Sequence, residues 1–287
     1  IRQSKISPGI IVGKNNSDYP FVINQKANLV SADAYIEGLR TKYLKPTYLE
    51  KTAINHKFTF NNFDDIISRF RFMIKIKSKS RFRHFINPLI WAMLKNRILL
   101  NFIFKNYFYN NVNNIKNSIV FPLHYEPEAS VTIRGFPYDQ LDVIKYISRS
   151  LPPHMTLLVK EHKGNRGYRP IQHYKEIADL HNTMLVSPDV EPYNLIKNAD
   201  AIATFSGRMG MEAAILGKPV FLFGDAFYND LSTVKIVERL TDLTPLFDNL
   251  DEISNQFDFC ADKIKLLRYC EGVFDGNFVM KSKSFMT

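Results

Sequence analysis

From residue 119 onward, short apolar runs alternate with stretches in which apolar positions recur every three or four residues. The runs Ile119–Leu123, Met155–Val159, Met184–Val186, Ala201–Phe205 and Val220–Phe223 predict strands. Between them, Tyr138–Ser150, Ile171–His181, Pro192–Asn198 and Gly210–Leu216 predict helices. Strands separated by helices at this spacing predict a parallel sheet built from βαβ units, and so an α/β fold. Gly217-Lys218-Pro219 reads as a helix stop and strand start, because Gly suits the left-handed residue after a helix and Pro cannot continue one. After Gly224 the pattern turns helical, with candidates at Asp230–Leu240, Leu246–Phe257 and Ala261–Tyr269.

The first 118 residues lack this rhythm. A strand-like start leads into Tyr35–Glu50 and then a basic stretch rich in Asn and Phe from Phe58 to Asn117. The chain opens at Ile1, and Gly9-Ile10-Ile11-Val12-Gly13 already reads as mid-domain, so a piece missing upstream is expected. Asn110-Asn111-Val112-Asn113-Asn114, polar and turn-prone, is the best boundary signal. The expected division is a partial N-terminal domain over 1–112, a regular α/β domain over 113–245 and C-terminal helices over 246–287.

Charge adds one local feature. The 287 residues carry a net charge of +10, yet 66–125 holds no Asp or Glu. Within it lie Arg69, Arg71, Lys75, Lys77, Lys79, Arg81, Arg83, Lys95, Arg97, Lys105 and Lys116, which leaves 27 basic against 28 acidic residues elsewhere. A uniformly basic nucleic-acid-coating protein is excluded. The block suits an anionic membrane surface, where each Lys or Arg contributes about 1 kcal/mol. Phe60, Phe70, Phe72 and Phe82 interleave with it as a stacking array for nucleic acid would, but no recognised nucleic-acid motif accompanies them. The most apolar stretch, Phe85–Phe104, is broken by Lys95 and Arg97, so a membrane span is not expected. Cys260 and Cys270 suggest reduced thiols in a helical tail rather than a disulfide framework or metal site.

Ligands of an open parallel sheet bind beyond the carboxyl ends of its strands, so the residues following each strand are the candidates. His124-Tyr125-Glu126 follows the first run, Lys160-Glu161-His162 the second and Ser206-Gly207-Arg208 the fourth. The last of these places backbone N–H groups and the positive end of a helix dipole where a phosphate fits, with Ser206 capping the helix or donating to the phosphate. Gly207 permits close approach of the backbone, and Glu212, a turn further on, suits ribose hydroxyls; an ordinary capped helix with a surface Glu fits the same spacing. His124 and His162, with Lys160, Arg169 and Glu161, form a cationic cluster suited to an anion, although a single His at a strand end is commonly structural. No Walker loop, GxGxxG, HExxH, DxD or GxSxG pattern occurs, so metal and serine-hydrolase chemistry have little support.

These residues carry a resemblance. Phe121-Pro122-Leu123-His124-Tyr125-Glu126-Pro127-Glu128-Ala129-Ser130, Val159-Lys160-Glu161-His162, Gly167-Tyr168-Arg169-Pro170, Thr204-Phe205-Ser206-Gly207-Arg208, Glu212-Ala213, Gly217-Lys218-Pro219-Val220, Phe223-Gly224 and Phe227-Tyr228 follow in order. Together they resemble the capsule polysaccharide biosynthesis family over roughly 119–228. A weaker echo, Tyr35-Ile36-Glu37-Gly38-Leu39-Arg40 and Pro46-Thr47-Tyr48-Leu49-Glu50, is similar to the family's acidic-Gly motif and the segment after it.

The resemblance implies a GT-B-like glycosyltransferase: two Rossmann-like domains facing a cleft, the donor on the C-terminal one and the N-terminal one incomplete here. It implies transfer of a sugar, Kdo from CMP-Kdo, to a lipid-linked or growing glycan acceptor, by a bacterial enzyme of the cytoplasm peripheral to the inner membrane. No cofactor or metal is implied beyond the nucleotide-sugar donor, and no nucleic-acid partner. His162 then contacts the donor's nucleotide or phosphate, Ser206-Gly207 holds phosphate and Glu212 binds ribose. Glu37 maps onto the family's nucleophile, and a covalent glycosyl intermediate there implies retention. The expected site is thus Glu37 and His162 as catalytic residues, with His124, Glu126, Lys160, Glu161, Arg169, Ser206, Gly207, Arg208 and Glu212 binding donor. Lys163 departs from the family's Pro after His162, Arg208 from a small hydroxyl residue, and Ile36 from a second acidic residue. The rival expectation is a non-catalytic nucleotide-sugar-binding or export-accessory protein on the same fold.

Overall fold

The computed structural model describes residues 2–3, 9–11, 29–41, 107–112, 115–124, 139–162, 169–224, 226–271 and 273–275. The basic residues from Arg69 to Lys105 lie outside these, as do Glu126 and the segment 42–50.

Seven parallel strands form the central sheet. They are β3 (Phe108–Tyr109), β4 (Ser118–Pro122), β5 (Thr156–Lys160), β6 (Thr183–Val186), β7 (Ala201–Thr204), β8 (Val220–Leu222) and β9 (Val234–Ile236), in the spatial order β3-β6-β5-β4-β7-β8-β9. The chain winds from β4 outward through β5 and β6, then returns to β7 beside β4 and winds the other way. The five strands expected from sequence are all present, each within a residue or so of its predicted ends.

Strands buried on both faces read as continuous apolar runs, which is why they are legible in sequence. Their side chains alternate between two cores. Ile119, Phe121, Leu157 and Val159 face one layer of helices: α2 (Gln140–Ser150), α3 (Ile171–Ala178), α6 (Leu243–Asp248) and α7 (Leu250–Asn255). Val120, Leu158, Ile202 and Leu222 face the other: α1 (Leu29–Thr41), α4 (Pro192–Asn198), α5 (Arg208–Ile215) and α8 (Phe259–Glu271). Each fully buried Val, Ile, Leu or Phe contributes roughly 1.5–3 kcal/mol. Helix α2 shows how one face is chosen: Asp139 caps it by accepting the Asp142 N–H at 2.7 Å, and Gln140, Val143, Ile144 and Ile147 are buried at helical spacing.

Gly217 ends α5 as expected. It has φ +75°, its N–H donates to Ala214 O, and the Lys218 N–H donates to Ala213 O, which together form a Schellman motif.

Three expectations need correction. Asp230–Leu240 is not a helix. Val234–Ile236 is strand β9, paired in parallel with β8 and flanked by Val220 N–H to Thr233 O and Val237 N–H to Leu222 O. Asp262 of α8 fixes the preceding turn by accepting from both the N–H and the hydroxyl of Ser232, at 2.8 and 2.6 Å. Leu246–Phe257 is two helices, α6 and α7, separated at Asn249, whose φ of −111° and ψ of 28° leave the helical region. The boundary expected at 112/113 falls between β3 and β4, two strands of one sheet, so the sheet reaches back to residue 108.

A second, antiparallel sheet joins β1 (Arg2–Gln3), β2 (Gly9–Ile11) and β10 (Val273–Asp275), bringing the two ends of the described chain together. Helix α1, within the expected stretch Tyr35–Glu50 only over its last seven residues, packs on α5 and α8, with Ile36 and Leu39 buried. Lys263 of α8 reaches Asp33 at 2.7 Å and Glu37 at 2.8 Å, and the Arg40 guanidinium lies 4.4 Å from the Phe259 ring centre.

Candidate functional site

The strand order reverses between β4 and β7, and such a switch point opens a crevice beyond the strand ends. His124 follows β4 and Phe205-Ser206-Gly207 follows β7, so these two segments stand side by side at that crevice.

The His124 backbone is fixed from three directions. Its N–H donates to Gln140 Oε1 at 2.7 Å, and its carbonyl accepts from Gln140 Nε2 at 3.3 Å and Arg169 Nη2 at 2.9 Å. The imidazole packs edge-on to Phe205 with ring centres 5.8 Å apart, and Nε2 lies 3.0 Å from Thr204 Oγ1. Gly207 is needed beside it: a Cβ at 207 would come within 2.9 Å of both His124 Cε1 and Thr204 Oγ1.

Arg169 links this segment to the end of β5. Its Nε lies 3.3 Å from Glu161 Oε2, both side chains being essentially inaccessible to solvent. Glu161 also accepts from the Tyr174 hydroxyl, and from the His162 N–H at 2.5 Å. Burial, with the Glu161 charge next, pushes the Tyr174 phenol well above its usual range, so it remains a donor. Lys160, also buried, donates to the carbonyls of Ser187 and Pro188 at 3.3 and 3.2 Å, tying the loop after β6 to the end of β5. His162 is exposed at the same edge.

Helix α5 begins after Gly207, which is its N-cap and supplies no capping side chain. Ser206 therefore does not cap the helix, correcting one of its two expected roles. Its hydroxyl is buried and makes no hydrogen bond among the described residues. The Gly207 carbonyl accepts from the Tyr228 hydroxyl at 2.5 Å and from the Gly210 N–H at 3.1 Å. The first amides of a helix lack intrahelical acceptors, so with the dipole they form an anion-binding end.

Glu212 is not a surface residue. It is buried and paired with Arg208, Nε to Oε1, at 2.6 Å. Burial raises the Glu212 carboxyl above the usual carboxylate range, opposed by Arg208 and supported by the nearby Glu191 charge. Burial also lowers Arg208 from its ordinary value. In each group burial acts against the charged form and the attraction of the partner opposes it.

The structure thus brings together His124, Lys160, Glu161, His162, Arg169, Ser206, Gly207, Arg208 and Glu212 along one sheet edge. Glu126 lies outside the described residues. Glu37 is on α1, where its carboxylate accepts from Lys263 rather than from a member of this cluster. Sequence reasoning gave no role to Thr204 or Tyr228, although both lie in the quoted motifs, and did not single out Gln140 or Tyr174. A polar residue closing an otherwise apolar strand, as Thr204 does, is the signal that was available. Among the described residues no group of three His, Cys, Asp or Glu side chains is arranged to hold a metal ion.

Comparison with known proteins bears on this edge. Residues 96–232, which contain the crevice segments after β4, β5 and β7, match the family described as "Capsule polysaccharide biosynthesis protein". The capsule polysaccharide modification protein LipA of Neisseria meningitidis serogroup B is 29% identical over 76 residues, 26% of this chain and 11% of LipA. The capsule polysaccharide export protein KpsS of Escherichia coli is 30% identical over 96 residues, 32% of this chain and 25% of KpsS. The chain therefore spans a quarter or less of these curated relatives. Among solved structures, the β-Kdo 2,7 transferase of Thermosulfurimonas dismutans KpsC gives a TM-score of 0.36 at 20% identity, covering 52% of this chain and 47% of that one. Anabaena Alr3699/HepE in complex with UDP-glucose gives 0.35 at 12% identity, covering 65% and 49%. The matched segment contains β4 through β8 and every strand-end residue of the site.

Proposed function

We propose that this chain carries the donor half of a GT-B-type glycosyltransferase of capsule or other surface polysaccharide. It transfers a sugar from a nucleotide donor, Kdo from CMP-Kdo, to a lipid-linked or growing glycan acceptor. The observation that carries the reading is the buried, unpartnered Ser206 hydroxyl beside the uncapped start of α5, in the switch-point crevice of a capsule-family segment. There the α5 amides and the Ser206 hydroxyl receive the donor phosphate, and the helix dipole favours the negative charge that grows on the departing nucleotide. His124, held by Gln140 and Arg169, lines the same crevice, and exposed His162 completes its edge. The Arg208–Glu212 ion pair, in the first turns of α5, is proposed to stand beside phosphate and ribose with little net charge.

This assignment requires no metal, because amides and cations stand where one would neutralise phosphate. The basic segment Arg69–Lys116 is proposed to hold the protein against the anionic inner leaflet, on the cytoplasmic face. No helix among the described residues is long and apolar enough to cross a membrane. Thermal stabilisation across CMP, UDP and GDP tests the donor assignment: CMP should raise the midpoint most, and an equal or absent response to all three would defeat it.

A second reading, donor binding without turnover, is favoured by Glu37, whose carboxylate is engaged by Lys263. Glu37→Gln separates the two. Loss of transfer at unchanged CMP affinity supports a nucleophilic role, and unchanged transfer removes it.

A further inference from the structure

Thr204 sits between two parts of the crevice. It closes β7, it is fully buried, and its Oγ1 accepts the Gly207 N–H at 3.3 Å and lies 3.0 Å from His124 Nε2. A threonine hydroxyl has one proton to donate and two lone pairs with which to accept. If Nε2 carried a proton, Oγ1 would accept from both Nε2–H and Gly207 N–H. Its own proton would then have no acceptor among the described residues, at a site water does not reach. A buried donor left unmade is costly, whereas the opposite assignment satisfies the Thr204 hydroxyl, His124 Nε2 and the Gly207 N–H together.

We propose that Thr204 is a positioning residue that fixes the tautomer of His124: the Thr204 O–H donates to Nε2, and the neutral imidazole carries its proton on Nδ1. The polar chain then runs in one direction, from Gly207 N–H to Thr204 Oγ1 and from Thr204 O–H to His124 Nε2, so each hydrogen bond polarises the next. It couples the N-cap of α5 to the imidazole. In this tautomer Nδ1–H is a donor, so whatever group it meets must be an acceptor. The role in donor recognition rests on the reading of the crevice as a donor site; the tautomer itself does not.

Long-range nitrogen–proton NMR of the full chain labelled on histidine tests the tautomer without any ligand, with the His124 signals assigned by their loss in His124→Gln. In the wild type near neutral pH, Nε2 should show the shift of an unprotonated nitrogen and Nδ1 that of a protonated one. A protonated Nε2 overturns the proposal. Thr204→Ser keeps the hydroxyl and should keep the pattern. Thr204→Val removes it and should move His124 toward the Nε2–H form; an unchanged pattern there also overturns the proposal. If Thr204→Val does not fold, the wild-type and Thr204→Ser spectra decide alone. By calorimetry with CMP, Thr204→Val should bind about tenfold more weakly, as loss of one hydrogen-bond relay implies. Thr204→Ser should restore affinity. Wild-type affinity in Thr204→Val overturns the link to donor recognition. Absence of CMP binding by the wild type refutes the donor-site reading and leaves the tautomer result standing.

Discussion

Arg169→Met is the sharpest test of how the strand-end network is held. In the native protein the guanidinium joins Glu161 to the His124 carbonyl, with side-chain exposures of 1% for Arg169 and 0% for Glu161. Methionine fills similar space but removes the only positive charge hydrogen-bonded to Glu161 among the described residues. The carboxylate keeps the Tyr174 hydroxyl and the His162 N–H, which are neutral donors. Breaking one side of a buried pair costs about 3–5 kcal/mol, because a buried charge is left uncompensated. At roughly 2–4 °C per kcal/mol, the expected fall in Tm is about 10 °C. The His124 carbonyl retains its Gln140 donor, so its loss adds little. The double change Arg169→Met with Glu161→Gln removes the orphaned charge and leaves a neutral acceptor for Tyr174. Differential scanning calorimetry should therefore show at least half of the lost Tm recovered. A single variant within about 1 kcal/mol of wild type, or a double variant worse than the single, would refute the buried-charge argument.

Gly217→Ala should destabilise by more than about 1 kcal/mol in urea unfolding, since φ is +75° and the new Cβ would meet Phe257 Cδ1 at 2.8 Å. Gly210→Ala should weaken CMP binding and stability together, because its Cβ would fall 2.5 Å from the Tyr228 hydroxyl that holds the Gly207 carbonyl. Glu212, raised by burial, makes its largest contribution to stability below the unfolded-state value of about 4.5. As pH rises from there to its folded-state value, the folded form keeps its proton longer than the unfolded one, so wild type should lose stability relative to Glu212→Gln. A difference curve that is flat or rises over that range contradicts this assignment. Binding to vesicles of anionic lipid should fall when Arg69, Arg71, Lys75 and Lys77 are changed to Gln, and a flotation assay unaffected by these changes removes the proposed membrane role.

Much of this fold was legible because the sheet is buried on both faces. Strands such as Ile119–Leu123 and Ala201–Phe205 have to be apolar throughout, and the Gly217-Lys218-Pro219 stop is a backbone requirement written in residue type. Strand β9 was hidden because Leu231, Val234, Val237 and Leu240 recur every three residues like a helix, while pairing with β8 decides otherwise. Strand β3 has two residues, too few for any periodicity. The strand-end rule located His124, the Lys160–His162 segment and Ser206–Arg208, since it depends only on where strands stop. It did not expose Thr204, Gln140 or Tyr174. Their partners lie 80, 16 and 13 residues away, and only the folded topology makes them neighbours. Burial of Glu212 escaped for a related reason: α5 is covered on its outer side by α1 and α8, so its polar-looking face is internal.

The Ser206 hydroxyl and the start of α5 are proposed to hold the phosphate of a CMP-linked donor. Isothermal titration of CMP into the wild type and Ser206→Ala decides this. The wild type should show saturable one-site binding, weakened about tenfold in Ser206→Ala as expected for one buried hydrogen bond to a charged group, with the fold and Tm preserved. Equal CMP affinity in the two proteins, or none in the wild type, would contradict it.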